Sequence, residues 1–337
     1  MQPLVSILVG AFNAEKTIAE TLESALRQTW PHTEIIVADD GSTDRTREIV
    51  RQYENVRLIP AEHGGVSAAV NIAFSHSRGD YIQYLDSDDL LAPDKIESQL
   101  LALQKRKEPR LVASSSWAYF FHRTRKARFV RNSLCEDLSP VEWLIRKMSE
   151  GVFMGNGTWL VKRELVEKAG PWNTDLYYDQ DGEFFCRVLL ASEGTCFVPA
   201  TGMYYRRTGS SSTSFIGKSD KKKESLLASL KLHTKYLLSI EDSERTRAAC
   251  ARQFQNWFYI FYQSRPDLAA EMESQAASFG GRLTPPELSW KYAWIQKVWD
   301  WQTAAAIQMN YNNFKARMQR VWDNAMYNWE RGPLGRA

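Results

Sequence analysis

The sequence predicts an α/β protein with a mostly parallel central sheet, helices on both faces, and an all-helical C-terminal region. Three observations predict it. Strand-like and helix-like segments alternate four times before residue 90. The strand-like segments are short, apolar and poorly alternating, as in strands buried on both faces. Near residue 209 the composition turns to Gly, Ser, Thr and Lys, and beyond it the pattern is helical to the end, with a break around Gly280–Gly281 and Pro285–Pro286.

Residues 4–10 (LVSILVG) read as the first strand, and Ile18, Leu22, Ala25 and Leu26 fall at helical spacing until Pro31. Residues 34–38 (EIIVA) repeat the strand pattern and end in Asp39-Asp40-Gly41-Ser42; a helix carrying Ile49, Val50 and Tyr53 follows. Residues 56–59 form a third strand, Gly64-Gly65 a turn, and Val66 to His76 a helix. Residues 81–85 (YIQYL) form a fourth strand that runs into Asp86-Ser87-Asp88-Asp89. Further on, 111–121, 127–130, 158–161 and 196–206 have strand character, and 140–149, 163–169 and 182–191 have helical character. No GxGxxG follows the first strand, so the dinucleotide fingerprint is absent.

Composition narrows the function classes. Hydrophobic residues make up 44% and charged residues 25% of 337 residues, which excludes global disorder. A net charge of +3 gives no reason to expect a nucleic-acid partner. No apolar run reaches the roughly 18 residues of a membrane span, and no basic segment precedes the first strand, so no signal peptide is expected. Cys135, Cys186, Cys196 and Cys250 are far apart, without a CxxC pair, as expected of free thiols in a reducing compartment. The cytoplasm is the expected location, either free or at the cytoplasmic membrane face. His32, His63, His76, His122 and His233 show no metal spacing and are expected at the surface.

Ligands of open parallel sheets bind beyond the carboxyl ends of the strands. Two such ends carry acids: Asp39 and Asp40 on the second strand, and Asp86, Asp88 and Asp89 on the fourth. Like charges so close repel. A divalent cation or a set of donors would relieve them, and few carboxylates on a rigid strand end suit Mg2+ or Mn2+ better than zinc. Single acids here could equally be helix caps or turn formers.

Four segments carry a family resemblance: VSILVGAFNAEKTI, IIVADDGSTDRT, GGVSAAVNIAFSHSRGDYIQYLDSDD and LAPDKI. In this order and spacing the chain resembles a family 2 glycosyltransferase of the GT-A fold over about residues 3–215. The resemblance implies inverting transfer of a hexosyl or N-acetylhexosaminyl unit from a nucleotide-diphosphate sugar, expected to be a UDP-sugar, to a hydroxyl of a glycan, lipid-linked or protein acceptor, as in polysaccharide biosynthesis. It implies that Asp86-Ser87-Asp88 is the DXD motif, with Asp88 on the Mn2+ or Mg2+ ion that bridges the phosphates and Asp86 on the ribose or the ion. Asp40 matches the acid that reads the base, beside a loop of Ala11, Phe12 and Asn13.

An inverting displacement needs a base for the acceptor hydroxyl. GPWNTDLYYDQDGEFFCRV resembles the segment that supplies it in the family and places Asp181 at that position, with Gln180 in place of the usual Glu and Asp179 as the rival. MYYRRTGSSSTS resembles the strand and loop that close over the diphosphate. Arg206 is the expected leaving-group cation and Arg207 the alternate; Thr208 stands where members often have His, and Val70 where many have Arg. Residues 209–217 are expected to be mobile without donor and ordered with it. FMGNGTW lies where the family floors its acceptor pocket, which gives Gly155, Asn156 and Trp159, with Asp179, as acceptor contacts; Trp159 or Trp172 either stacks on a sugar or belongs to the core.

The expected division is residues 1–215 as the transferase domain (1–100 nucleotide half, 101–215 acceptor half) and 216–337 as a helical, Trp-rich region. Six of the 12 tryptophans (290, 294, 299, 301, 322 and 329) lie in the last 57 residues, which hold eight Lys and Arg against four Asp and Glu, a net charge of +4. Phe314, Met318, Val321, Trp322, Ala325 and Trp329 share one helical face, with Lys315, Arg317 and Arg320 off it. Peripheral membrane contact, a homo-oligomer and packing within the chain would each use such a stripe, and packing within or between chains is the expected outcome. A rival to the enzyme is a sugar-nucleotide-binding or scaffold protein of the same fold with impaired catalysis. A nucleotidyltransferase would need a Gly-rich basic loop after the first strand, and a DxDG-type phosphatase a motif that the first strand lacks.

Overall fold

The computed structural model describes residues 2–208, 215–217, 219–293 and 301–331. Its strands are Val5–Ala11 (β1), Thr33–Asp40 (β2), Val56–Ala61 (β3), Tyr81–Asp86 (β4), Leu90–Leu91 (β5), Leu111–Phe120 (β6), Arg128–Val130 (β7), Val161–Lys162 (β8) and Gly194–Arg206 (β9). The helices of the α/β part are Ile18–Leu26 (α1), Thr46–Val50 (α2), Val66–Ser75 (α3), Lys95–Gln104 (α4), Pro140–Glu150 (α5), Arg163–Ala169 (α6) and Gln180–Ala191 (α7). Asp220–Ile240 (α8), Glu244–Phe261 (α9), Pro266–Ser278 (α10), Trp290–Ala293 (α11) and Trp301–Arg331 (α12) complete the chain.

The central sheet has the order β3-β2-β1-β4-β8. Its first four strands are parallel, as the alternation predicts, and β8 closes the edge antiparallel. Register brings Gly10 opposite Asp86 and Ala11 opposite Asp39, so the acidic ends of β2 and β4 flank the end of β1. These strands lack alternation because both faces are covered: Ile7, Leu8, Val9 and Val37 are all buried. A second sheet, β5-β9-β6-β7, packs beside it. Only part of the 158–161 segment is strand. Asn156–Thr158 form a 3-10 turn instead, because Gly155 and Gly157 press against the sulfur of Met203, where a Cβ would sit 3.2 Å away.

Local chemistry sets several boundaries. Ser139 caps α5 with Pro140 in the first turn, and Gly151 ends the helix at φ 65°. Ser243 and Thr246 cap α9 reciprocally. Trp159 and Trp172 are core residues, 1% and 3% exposed, stacked on Phe185 and Phe184 at 5.0 and 4.6 Å. A ring so enclosed has no face for a sugar, which corrects the expected acceptor contact at Trp159.

Helices α8, α9 and α10 pack around Leu226, Leu230, Phe254, Phe258 and Met272, and Leu237, Ala249 and Cys250 join the main core. Asn256 of α9 donates to the carbonyls of Met148 and Ser149 at the end of α5. His233 is fully buried in α8 rather than at the surface, because it bridges Gln253 and Ser229.

The long helix α12 is anchored by its polar side. Asp323 accepts from the His122 and Arg123 amides and from the Arg123 guanidinium, Glu330 pairs with Arg123 and Arg125, and Tyr327 binds Glu20. The apolar stripe points away: Phe314, Met318, Val321, Trp322 and Trp329 are 53–61% exposed. Of the expected packing within or between chains, the structure overturns the within-chain part only; the polar side turns inward because it offers Asp323 and Glu330 to the otherwise buried Arg123. Trp294 and Trp299 lie outside the described residues. Among the described residues no helix is long and apolar enough to cross a membrane.

Candidate active site

A cleft of about 1910 Å3 opens over the carboxyl ends of β1, β2 and β4 and extends to the start of α7. Two loops are stapled at its floor. The Asn13 amide donates to Ser42 Oγ at 2.9 Å, Asn13 Oδ1 accepts from the Thr43 amide at 2.9 Å, and the Ala14 amide donates to Thr46 Oγ1 at 2.8 Å. Asn13 adopts a left-handed φ of 48°, a conformation Asn tolerates. The staple holds Phe12 half exposed and stacked on His63, with centroids 4.5 Å apart, while Ala11 is buried beneath.

Asp40 is itself buried, and its oxygens accept from the Gly64 amide at 2.7 Å and the Gly65 amide at 3.0 Å, with His63 Nδ1 at 2.9 Å. Gly65, at φ 89°, turns its amide inward. Asp40 therefore anchors the glycine turn as well as facing the cleft. Asp39 turns away from the cleft to Arg47 and the Ser42 amide.

At the end of β4, Asp86 accepts from Asn156 Nδ2 at 3.0 Å. Burial, then the neighbouring Asp88, raises Asp86 to about 6. Burial also raises Asp88, against the pull of Arg206. Asp89 is buried, accepts the Arg206 amide at 2.8 Å, and is pushed well up by burial and by Asp88 and Asp86. Ser87 is held through its carbonyl by Thr21 Oγ1 at 3.0 Å. Opposite, Asp181 sits in the first turn of α7 and is raised to about 7 by burial, then by Asp179 and Asp86. The two carboxylate groups thus face one cleft and oppose each other's ionisation.

Asp179 adopts a left-handed φ of 59°, and Ser229 Oγ donates to its carboxylate at 2.6 Å. His233 Nε2 lies 3.4 Å from that carboxylate; burial drives this imidazole down to about 4, so it is neutral at pH 7. Asp179 is therefore tied to α8 while it still lines the cleft beside Asp181, for which no such side-chain partner from α8 is seen among the described residues. The Asp179 carboxylate also lies over Gly182, where a Cβ would come within 2.0 Å of it. Gly182→Ala is expected to break the Asp179–Ser229 bond and to cost about 1–3 kcal/mol, read as a lower melting temperature.

Arg206 is not placed as the sequence suggests. Its guanidinium is buried and spent on the Asp88 and Phe121 carbonyls and on Glu20, over the Phe120 ring. Arg207 is exposed, lies over Tyr119 and Phe121, and lines the cleft. Of these two arginines, Arg207 is the one exposed at the cleft. Gly155 and Asn156 line the cleft, and the edge of the buried Trp159 borders it. Residues 209–214, including Gly209 of the expected closing loop, lie outside the described residues, as does Lys218.

Sequence reading missed the contributions of five residues on three helices. Lys147 of α5 lines the cleft and lowers Asp181. Ser229 and His233 hold Asp179 from α8. Arg317 and Arg320 of α12 form one wall of the cleft, and Arg320 Nη1 donates to the Thr208 carbonyl at 2.6 Å. None of them lies in a motif; only an intact tertiary structure brings them to the cleft.

The residues fit a divalent ion. Asp86 and Asp88 offer hard oxygens whose ionised form burial disfavours, a cost that Asn156 at Asp86 and Arg206 at Asp88 offset only in part. Among the described residues no three His, Cys, Asp or Glu side chains converge into a self-sufficient site, so a bound ion would take further oxygens from its ligand.

Residues 6–168 match the family model described as glycosyl transferase family 2. Over 110 residues the chain is 40% identical to the putative teichuronic acid biosynthesis glycosyltransferase TuaG of Bacillus subtilis, covering 31% of this chain and 44% of that protein. Over 107 residues it is 40% identical to the UDP-Glc:alpha-D-GlcNAc-diphosphoundecaprenol beta-1,3-glucosyltransferase WfaP of Escherichia coli, covering 31% of this chain and 43% of that protein. The chain spans about half the length of the curated relatives it matches. S. aureus TarS 1–349, solved with UDP-GlcNAc, superposes with a TM-score of 0.64 at 18% identity, covering 82% of this chain and 81% of that one, and so shows the GT-A fold.

Proposed function

We propose that this chain, which belongs to glycosyl transferase family 2 through residues 6–168, transfers a hexosyl or N-acetylhexosaminyl unit from a UDP-sugar to an acceptor hydroxyl with inversion. One observation carries the reading: a strand-end Asp86-Ser87-Asp88 and a helix-start Asp181 face each other across one cleft, and Asp181 is held near neutrality, where a general base works best.

Phe12 and His63 offer an aromatic platform for the base, next to Asp40. Asp88, with Asp86, would hold Mn2+ or Mg2+, which supplies charge neutralisation at the diphosphate when bound. Asp181 takes the proton from the acceptor hydroxyl. The freed oxygen forms the new bond to the sugar C1 from the face opposite the diphosphate. The bond between C1 and the phosphate oxygen breaks with its electron pair going to that oxygen, and Arg207 meets the developing charge. Lys147 favours the ionised form of Asp181, and Asn156 orients Asp86. We take residues 1–215 as the transferase unit, braced by α8 and α9, and read the acceptor as a growing glycan or its lipid-linked precursor.

Binding and hydrolysis of a panel of nucleotide sugars, with and without Mn2+, tests this reading; a chain that binds no UDP-sugar under either condition is not this enzyme. A pH profile adds a second check. The base form of Asp181 fills as pH rises, and a metal that neutralises Asp86 lowers the carboxyl further. The transfer rate is therefore expected to rise with pH along a limb centred at or below about 7, and Asp181→Asn is expected to lack that limb.

A further inference from the structure

Helix α12 has two sides with opposite chemistry. Both of its acids, Asp323 and Glu330, are bound inward by Arg123 and Arg125. Its other side carries Tyr311, Phe314, Met318, Val321, Trp322 and Trp329 at helical spacing, all more than half exposed. At 1.5 Å per residue this row runs roughly 27 Å with no acidic residue on it. Its borders are cationic. Lys315 and Arg317 flank it on the helix, both exposed. Arg123 packs over the Trp322 ring at 5.1 Å and so places the segment that follows it next to the row. That segment exposes Lys126, Arg128 and Arg131, none of which forms an ion pair with a described residue, together with Phe129, 60% exposed.

We propose that the outward face of α12, with the basic segment at residues 125–131, is a docking surface for an anionic phospholipid bilayer. An amphipathic helix with Trp and Phe on one side and cations at its margins lies in the interface with its apolar side buried in the acyl boundary. Trp322, Trp329 and Tyr311 suit the depth at which one end of a ring is apolar and the other wet. Charge selects the bilayer over a second copy of this chain: two such faces would bring cationic margins together, with no acid left on the row to pair with them, whereas an anionic surface meets every one of those charges. The inward side of α12 lines the cleft through Asn313 and Arg320, and Arg317, at the margin between the two sides, reaches it as well. Docking therefore brings the cleft within one helix diameter, roughly 10–12 Å, of the lipid surface, where, on the transferase reading above, a lipid-linked acceptor would be met. The docking itself does not depend on that reading.

The test is flotation of the full chain with vesicles of equimolar phosphatidylglycerol and phosphatidylcholine, against vesicles of phosphatidylcholine alone, at low and high salt. The chain is expected to float with the anionic vesicles only, and less at high salt. Met318→Glu with Val321→Glu lies on the exposed row, so the melting temperature and UDP affinity are expected to hold while flotation is lost. Lys126→Glu with Arg128→Glu is expected to weaken partitioning by at least about five-fold per cation. Wild-type chain that stays unbound, or a row variant that floats as well as wild type, overturns the proposal. So does a lipid-free dimer that the row variant converts to monomer, since the face would then belong to a second copy.

Discussion

Asp181→Asn is expected to abolish transfer while leaving donor binding intact. Removing a general base costs about 10²–10⁴ in rate, and Asn at the start of α7 keeps the shape of the side chain. The same substitution is expected to stabilise the protein at alkaline pH. Asp181 is raised to about 7 in the folded chain against about 4 when unfolded, so the folded state binds more protons between those values. Stability from this group is present at low pH and is lost as pH rises from about 4 to about 7. The Asn variant has no such loss and should melt above wild type at pH 8. Sugar transfer by single-turnover assay and UDP affinity by calorimetry separate the two effects. A variant that transfers at the wild-type rate moves the base to another residue, Asp179 first, although the bond from Ser229 already occupies that carboxylate.

Asp88→Ala is expected to remove Mn2+-dependent affinity for UDP without unfolding the chain. Asp88 carries a carboxylate at a buried strand end, beside Asp86 and Asp89; all three are raised by burial, and Arg206 offsets this only in part at Asp88 and Asp89. Removing one of three mutually repelling acids relieves the fold rather than straining it. Losing even an outer-shell partner of a metal costs 10–100-fold in affinity, so loss of a direct ligand should exceed about 100-fold. Calorimetry with UDP and Mn2+, with a chelator control, reads this directly. Unchanged affinity would take the metal away from Asp88 and leave the charge of the β4 end to be met by Arg206 and backbone groups.

The motifs were legible because each is local. GAFNAEK, DDGSTD and DSDD lie at the ends of strands whose apolar runs are recognisable, and parallel register then aligns those ends by necessity. The start of α7 was legible for the same reason, and it carries Asp181. The neighbours of these motifs were not. Arg206 and Arg207 are adjacent in sequence and chemically equal; partners remote in the chain, among them Glu20, 186 residues from Arg206, and the Asp88 and Phe121 carbonyls, hold Arg206 buried while Arg207 stays open. Trp159 looked as fit for a sugar as for the core until Phe185 was seen to cover it.

By itself, then, the sequence determined the strand–helix order, the placement of the acids at strand ends and the amphipathic period of the last helix, because each depends on residues a few positions apart. Tertiary structure alone decided which charges are spent and which remain. It tied Asp179 to Ser229, buried His233 that spacing had placed outside, and turned the polar side of α12 inward to Arg123 so that its aromatic side faces out. The physical reason is that the free energy of a buried charge is set by partners far away in the chain, and no local pattern records them.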